Sequence, residues 1–208
     1  MTDFALVETL RYDPEAGLVR LRLHLARLTR SARRLGFAGA AAAGERLQEA
    51  VRGAERPLRV RLTLSRDGTV AVTTAPFTPL GRDTTWRVRI ASTRLDSGDR
   101  LLRMKTTRRH VYETARGEFS PEEADEVILL NEKGDICEGT ITSVFLDDGS
   151  DVLKTPPIAC GLLAGVLRSE LICGRRARVA QLLPADLQHG RLFVGNSLRG
   201  LIRAELVV

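Results

Sequence analysis

DEVILLNEKGDICEGTITSVFLDD, residues 125–148, carries the signal that decides the architecture. Val127 to Leu130 is a continuous apolar run of strand length, the pattern of a strand covered on both faces. Glu132-Lys133-Gly134-Asp135 supplies a hairpin turn, and ICEGTITSVFLDD reads as the returning strand. On that strand Glu138, Thr140 and Thr142 share one face by period two, so polar groups line up inside an otherwise apolar segment. A carboxylate there either faces solvent or pairs with a positive or protonated partner in a pocket.

Upstream, FALVETLRY (4–12) and LVRLRL (18–23) read as two strands around the turn Asp13-Pro14-Glu15-Ala16-Gly17. From His24 the period becomes helical: Leu25, Leu28, Ala32 and Leu35 form one face, closed by Gly36. His24, Arg27 and Ser31 form a polar stripe beside it. An Ala-rich helix spans about Ala40 to Val51, followed by Leu58, Val60, Leu62 and Leu64 alternating with polar residues, by TVAVTTA, and by WRVRIAS (86–92). The first 92 residues thus read as a sheet with helices on one side, an α+β layer. The polar stretch 93–100, TRLDSGDR, is the expected interdomain linker, and 101–208 a second, larger domain. In it KTTRRHVYETAR and CGLLAGVLRSELI read as helices, ARVAQLL, RLFVGN and AELVV as short strands, and PADLQHG as a helical turn.

With 208 residues, 43% of them apolar, the chain has enough core to exclude a disordered protein. No apolar run nears the ~20 residues that span a bilayer, and the N-terminal stretch lacks a basic leader, so a cytoplasmic protein without membrane association is expected. Cys137, Cys160 and Cys173 form neither an even set nor a ligand spacing, which argues against a disulfide framework and a metal site. A net charge of +6 admits a nucleic-acid binder. The arginines, however, are dispersed through almost every segment rather than clustered, and no nucleic-acid partner is expected.

Of the 32 basic side chains only Lys105, Lys133 and Lys154 are lysines, the side chain able to form an imine. Lys133 sits in a polar turn and Lys154 follows the polar run 147–151. Lys105 follows Leu101, Leu102 and Met104 and precedes Thr106 and Thr107. Its window alone reads first as a solvated lysine at a helix start. Two further stretches could cradle an anion: Gly161 to Val166, opening a helix, and Gly195-Asn196-Ser197 after a strand.

Taken in order, FALVETLR, HLARLTRSARRLGF, RMKTTRRHVYE, DEVILLNEKGDICEGTITSVF, TPPIACGLLAGVLR and RLFVGNSLRGL resemble the class IV aminotransferases, pyridoxal-phosphate enzymes of fold type IV. The nearest branch is the aminodeoxychorismate lyases. The likeness runs from residue 4 to about 207. It implies a two-domain D-amino-acid-aminotransferase-like fold with pyridoxal 5'-phosphate in the cleft between the domains, and a homodimer. By the same resemblance Lys105 tethers the cofactor and moves protons, and Glu138 pairs with its pyridine nitrogen. Arg27, the amides of Val166 and Leu167 and the hydroxyl of Ser197 hold its phosphate. Thr9 is a catalytic helper, and Arg109 and Arg199 hold substrate carboxylates. The implied reaction cleaves 4-amino-4-deoxychorismate to 4-aminobenzoate and pyruvate, a step of folate synthesis. The alternative is a transaminase acting on branched-chain or D-amino acids, ahead of a chain that kept the fold without the chemistry.

Three positions depart from the family pattern: Ser143 stands where Asn is usual, Ala164 where Pro is frequent, and Arg203 where Pro is common. Stand-alone relatives also carry a further stretch ahead of Glu8-Thr9. The beginning resembles the lyase portion fused behind a chorismate-aminating synthase subunit, which makes such a subunit a candidate partner.

Overall fold

The computed structural model describes residues 4–207 and divides the chain into two units. The first contains the residues up to Leu80, together with Met104–Arg108 and Ser197–Arg199; the second contains the rest.

The first unit is built from β1 (Leu6–Asp13), β2 (Gly17–Leu18), α1 (Leu21–Leu35), α2 (Ala43–Ala50), β3 (Leu58–Leu64) and β4 (Val70–Pro76). Its antiparallel sheet has the order β2-β1-β3-β4. Alternation sends Leu6, Leu10, Val60, Leu62 and Leu64 to one face, where Leu28 and Ala32 of α1 and Ala43 and Leu47 of α2 cover them. The strand expected over 18–23 shrinks to the two residues of β2, and Leu21 already begins α1. The reason is an ambiguity of spacing: Leu18, Leu21, Leu25 and Leu28 also recur at helical intervals, and all four pack on this core. Arg20 precedes the helix in the left-handed region at φ 59°, and Gly36 ends it at φ 70° with the Phe37 amide donating to the Ala32 carbonyl.

The second unit contains β5 (Thr85–Leu95), α3 (His110–Arg116), β6 (Glu126–Asn131), β7 (Ile136–Gly139), β8 (Ser143–Asp147), β9 (Leu153–Thr155), α4 (Val166–Cys173), β10 (Ala177–Val179), β11 (Arg191–Asn196) and β12 (Gly200–Leu206). Its strands run β10-β9-β8-β11-β12-β5-β6-β7, and a further pairing of β7 with β8 closes six of them into a ring. That closure rests on one register pair, Glu138 opposite Ser143. Every residue of β6 is buried, as its unbroken apolar run requires. Val88, Ile128, Val144 and Val194 belong to one core cluster, and Val127, Leu129, Tyr112 and Ala115 to another.

Two further expectations need correction. The strand WRVRIAS belongs to the second sheet, since β5 runs on to Leu95 and pairs in parallel with β12 and β6. Residues 93–95 are therefore strand rather than linker, and the boundary falls near Leu80 instead of 92. Alternation identifies a strand but not the sheet it joins. The long returning strand of 136–148 is also two strands broken at Thr140–Thr142. Glu138 and the two threonines consequently do not line one face. Among the described residues no helix is long and apolar enough to cross a membrane.

Candidate active site

Glu8 occupies a core-facing position of β1 between Leu6 and Leu10, with 2% of its surface exposed. Such a carboxylate needs charged or hydrogen-bonding partners. Helix α1 supplies both. Arg27 grips it with two bonds, Nε to Oε1 at 2.8 Å and Nη2 to Oε2 at 2.6 Å, and His24 Nδ1 lies 2.6 Å from Oε2. Burial pushes the Glu8 carboxyl up, but the Arg27 charge and the bonds from Arg27 and His24 prevail and hold it at about 2. The other ring nitrogen, His24 Nε2, lies 2.7 Å from Ser197 Oγ, and Arg20 Nη1 donates to the Ser197 carbonyl at 3.2 Å. Arg27 and Ser197, placed together by the resemblance, are thus joined through Glu8 and His24. The i, i+3 spacing of His24 and Arg27 was the visible signal; that Glu8 would meet them was not read from sequence.

Lys105 belongs to the same unit. Its carbonyl accepts from the Val7 amide at 2.9 Å, the Thr107 amide donates to Ala5 at 2.9 Å, and Leu6 and Thr106 form an antiparallel bridge. The segment is therefore an edge strand beside β1 rather than a helix start; α3 begins only at His110. Thr106 shares the face of Leu6, which places Lys105 on the opposite face with Val7 and Thr9. Register continues that face across the sheet: Thr9 lies opposite Arg61, and Arg11 opposite Arg59. Arg59 and Arg61 are exposed, Thr9, Arg11 and Lys105 half-buried. The other lysines are engaged elsewhere or solvated, Lys154 in an ion pair with Asp148 and Lys133 in its exposed turn. Arg199 lies half-buried in the turn Ser197–Arg199 that joins β11 to β12.

In the second unit Glu138 is 5% exposed and accepts on Oε1 from the Tyr112 hydroxyl at 2.7 Å and the Leu163 amide at 3.2 Å. Burial and then the Glu138 charge push the Tyr112 phenol far up, so it stays protonated and donates. Arg109, expected to hold substrate, lies 4.9 Å over the Tyr112 ring and donates to the Thr140 carbonyl at 2.5 Å. Its guanidinium braces the support of Glu138. Beneath this turn Glu126, 1% exposed, receives the amides of Val127, Thr140 and Ile141 and the hydroxyls of Thr140 and Thr142. Gly139 makes the arrangement possible, because a Cβ there would come within 2.8 Å of Glu126 Oε2. Tyr112, Glu126 and the turn they organise leave no sequence signal because their partners belong to other elements, Glu138 of β7 for Tyr112 and the turn after β7 for Glu126.

Helix α4 opens at Val166 behind Gly165, with no side-chain cap and no acidic residue in its first turn. Its first amides, those of Val166 and Leu167, suit an anion. A Cβ on Gly165 would meet Ser143 Oγ at 2.6 Å, so the backbone approaches the serine that replaces the family's Asn. Arg168 in the same turn is 3% exposed and donates to the Pro156 carbonyl at 2.7 Å. Burial lowers its pKa and the Glu138 charge opposes that.

The sequence model for amino-transferase class IV matches residues 5–207. The chain belongs to the class IV aminotransferase family. Among solved structures, a candidate amino-acid aminotransferase from Mesorhizobium loti is 50% identical, with a TM-score of 0.95 over 99% of this chain and 100% of that one. A candidate 4-amino-4-deoxychorismate lyase is 29% identical, with a TM-score of 0.82 over 97% and 84% of the two chains. A candidate branched-chain amino acid aminotransferase from Thermotoga maritima is 24% identical, with a TM-score of 0.86 over 98% and 76%. None of the curated proteins matches the chain in sequence.

Class IV aminotransferases are pyridoxal-phosphate enzymes, and the groups present suit that cofactor. The first unit offers a lysine amine, an arginine and a serine hydroxyl. The second offers a buried carboxylate held by a phenol and an uncapped helix start beside a glycine with no room for a side chain.

Proposed function

We propose that this class IV enzyme is a lyase that converts 4-amino-4-deoxychorismate to 4-aminobenzoate and pyruvate. The observation that supports this reading is the open face of the first sheet, where the Lys105 edge and Thr9 share a surface with Arg11, Arg59 and Arg61. Arg11 and Arg59 are directly opposed, a like-charge pair that Asp13, 4.0 Å from the Arg11 guanidinium, offsets only in part and that a further anion on this face would stabilise. A substrate with two carboxylates and one amine matches such a surface. A branched aliphatic side chain would bring no anion to these guanidinium groups.

Bound pyridoxal phosphate supplies an electron sink for the carbon that bears the substrate amine. In this reading Arg27, Ser197 and the amides of Val166 and Leu167 hold its phosphate, and Glu138 keeps the pyridine nitrogen protonated. Lys105 Nζ would hold the cofactor and, as the free amine once the substrate amine has taken its place, would accept the proton from the amine-bearing ring carbon. Thr9, with its hydroxyl on the same face, orients the substrate, and Arg199 and Arg109 are candidate carboxylate contacts. The enolpyruvyl group leaves, takes a proton and becomes pyruvate while the ring becomes aromatic. Substrate and products have the same atoms and the same oxidation level in sum, so no co-reactant is consumed. The protein acts as a homodimer in the cytoplasm, with a chorismate-aminating subunit as a candidate supplier of substrate.

The likeness to the Mesorhizobium loti chain favours a second reading, an amino-acid transaminase using the same cofactor groups. Incubation of the holoenzyme with 4-amino-4-deoxychorismate separates the two: release of fluorescent 4-aminobenzoate, lost in Lys105→Ala, is expected. Amino-acid-dependent conversion of the cofactor to its amine form without 4-aminobenzoate release would replace the lyase by the transaminase. Borohydride reduction followed by peptide mapping locates the tether, expected on Lys105.

A further inference from the structure

The bond order around His24 constrains what Ser197 can do. Glu8 is ionised and accepts only, so the nitrogen 2.6 Å from it, Nδ1, must carry a proton. In the neutral imidazole Nε2 is then a bare acceptor, and at 2.7 Å the Ser197 hydroxyl must donate its single proton to it. In that state Ser197 Oγ offers an incoming phosphate nothing but lone pairs. Only when Nε2 is also protonated does the bond reverse, so that Oγ accepts from His24 and its own proton turns outward. The groups acting on the ring come from every side: Glu8 from β1, Arg27 from its own helix, Lys105 from the edge segment, and Arg20 through the Ser197 carbonyl. Burial, then Arg27 and Lys105, keep the ring neutral, and Glu8 alone opposes them. A phosphate dianion would add the negative charge that shifts this balance.

We infer that His24 is a positioning residue that takes up a proton when an anionic phosphate binds at Ser197, turning the serine hydroxyl from an inward to an outward donor. The inference rests on the assignment of Ser197 to the cofactor phosphate. It makes phosphate affinity proton-linked: strongest where His24 is protonated in both states, and falling about tenfold per pH unit between the pKa of the free and of the phosphate-bound ring.

The test uses full-length wild-type protein at pH 8 with pyridoxamine 5'-phosphate, whose phosphate is dianionic at that pH. Having no aldehyde, the probe leaves Lys105 unmodified. The chain has only 3 histidines, so nitrogen NMR of labelled imidazoles resolves His24, assigned by its loss in His24→Gln. The expected result is a change from one protonated ring nitrogen to two on saturation, and retention of the neutral pattern in Ser197→Ala with the probe bound. A wild-type ring that stays neutral at saturation overturns the inference, as does equal protonation in Ser197→Ala. If probe affinity falls in Ser197→Ala while His24 stays neutral, the proton link fails and the phosphate assignment survives. Affinity unchanged in both Ser197→Ala and Arg27→Ala would remove the assignment and the inference together.

Discussion

The Tyr112 hydroxyl donates to Glu138 Oε1 over 2.7 Å, and its ring lies beneath the Arg109 guanidinium. A neutral donor thus stabilises the carboxylate without neutralising it, and the Arg109 guanidinium packs against the ring of that same donor. Tyr112→Phe keeps the ring contact and deletes the bond. Pyridoxal-phosphate affinity, followed by quenching of protein fluorescence, is expected to fall about tenfold, in line with one hydrogen bond to a charged group. Unchanged affinity would mean that Glu138 needs no donor from α3.

Glu8 makes stability depend on acid. Its folded pKa of about 2 lies below the ordinary 4.5, so its contribution is present above pH 4.5 and is lost as pH falls toward 2. The span corresponds to about 3 kcal/mol. Urea midpoints measured at pH 7, 4 and 3 should decline along this course in the wild type. Glu8→Gln should lose about 3 kcal/mol or more at pH 7, leaving Arg27 and His24 without their anion, and should lack this part of the acid dependence.

The turn 139–142 is wired to a single side chain. Glu126→Gln replaces an acceptor by an amide nitrogen that faces donors, and a loss of about 2–3 kcal/mol is expected in thermal unfolding. Gly139→Ala should cost about as much by overpacking the same place. A melting temperature unchanged in both variants would show that the Glu126 bonds do not hold the turn.

Arg61 faces outward opposite Thr9, away from the core under the sheet. If the open face receives substrate carboxylates, Arg61→Gln raises KM for 4-amino-4-deoxychorismate about tenfold and leaves kcat within about twofold, with Arg46→Gln on the exposed side of α2 as an inert control. Steady-state kinetics at varied substrate decide this. Equal KM in both variants would direct attention to the arginines of the second unit.

Most strands and helices were legible because their periodicity was unambiguous: Val60, Leu62 and Leu64 alternate, and Leu28 and Ala32 mark a helix face. The errors arose where one pattern served two structures. Leu18, Leu21 and Leu25 suit a strand or a helix, and only packing on the core decides. Trp86 to Ser92 reads as a strand in either domain, since sheet membership depends on β12 and β6, far away in sequence. Resemblance singled out Lys105, Glu138, Arg27 and Ser197. Glu8, Tyr112 and Glu126 escaped notice because a buried carboxylate or phenol declares itself only with its partner, and each partner is contributed by another element.

The excursion of residues 197–199 into the first unit has a consequence for biogenesis. On a translating ribosome, β1 to β4 and both helices emerge long before Ser197, so that sheet can form early with His24 Nε2 facing no hydroxyl. The lysine edge follows after β5, and the serine only after the whole ring of the second unit except β12 has been synthesised. The two halves of the His24–Ser197 pair are therefore synthesised 173 residues apart, and the completed pair marks a chain in which the strands of both units up to β11 have already been made.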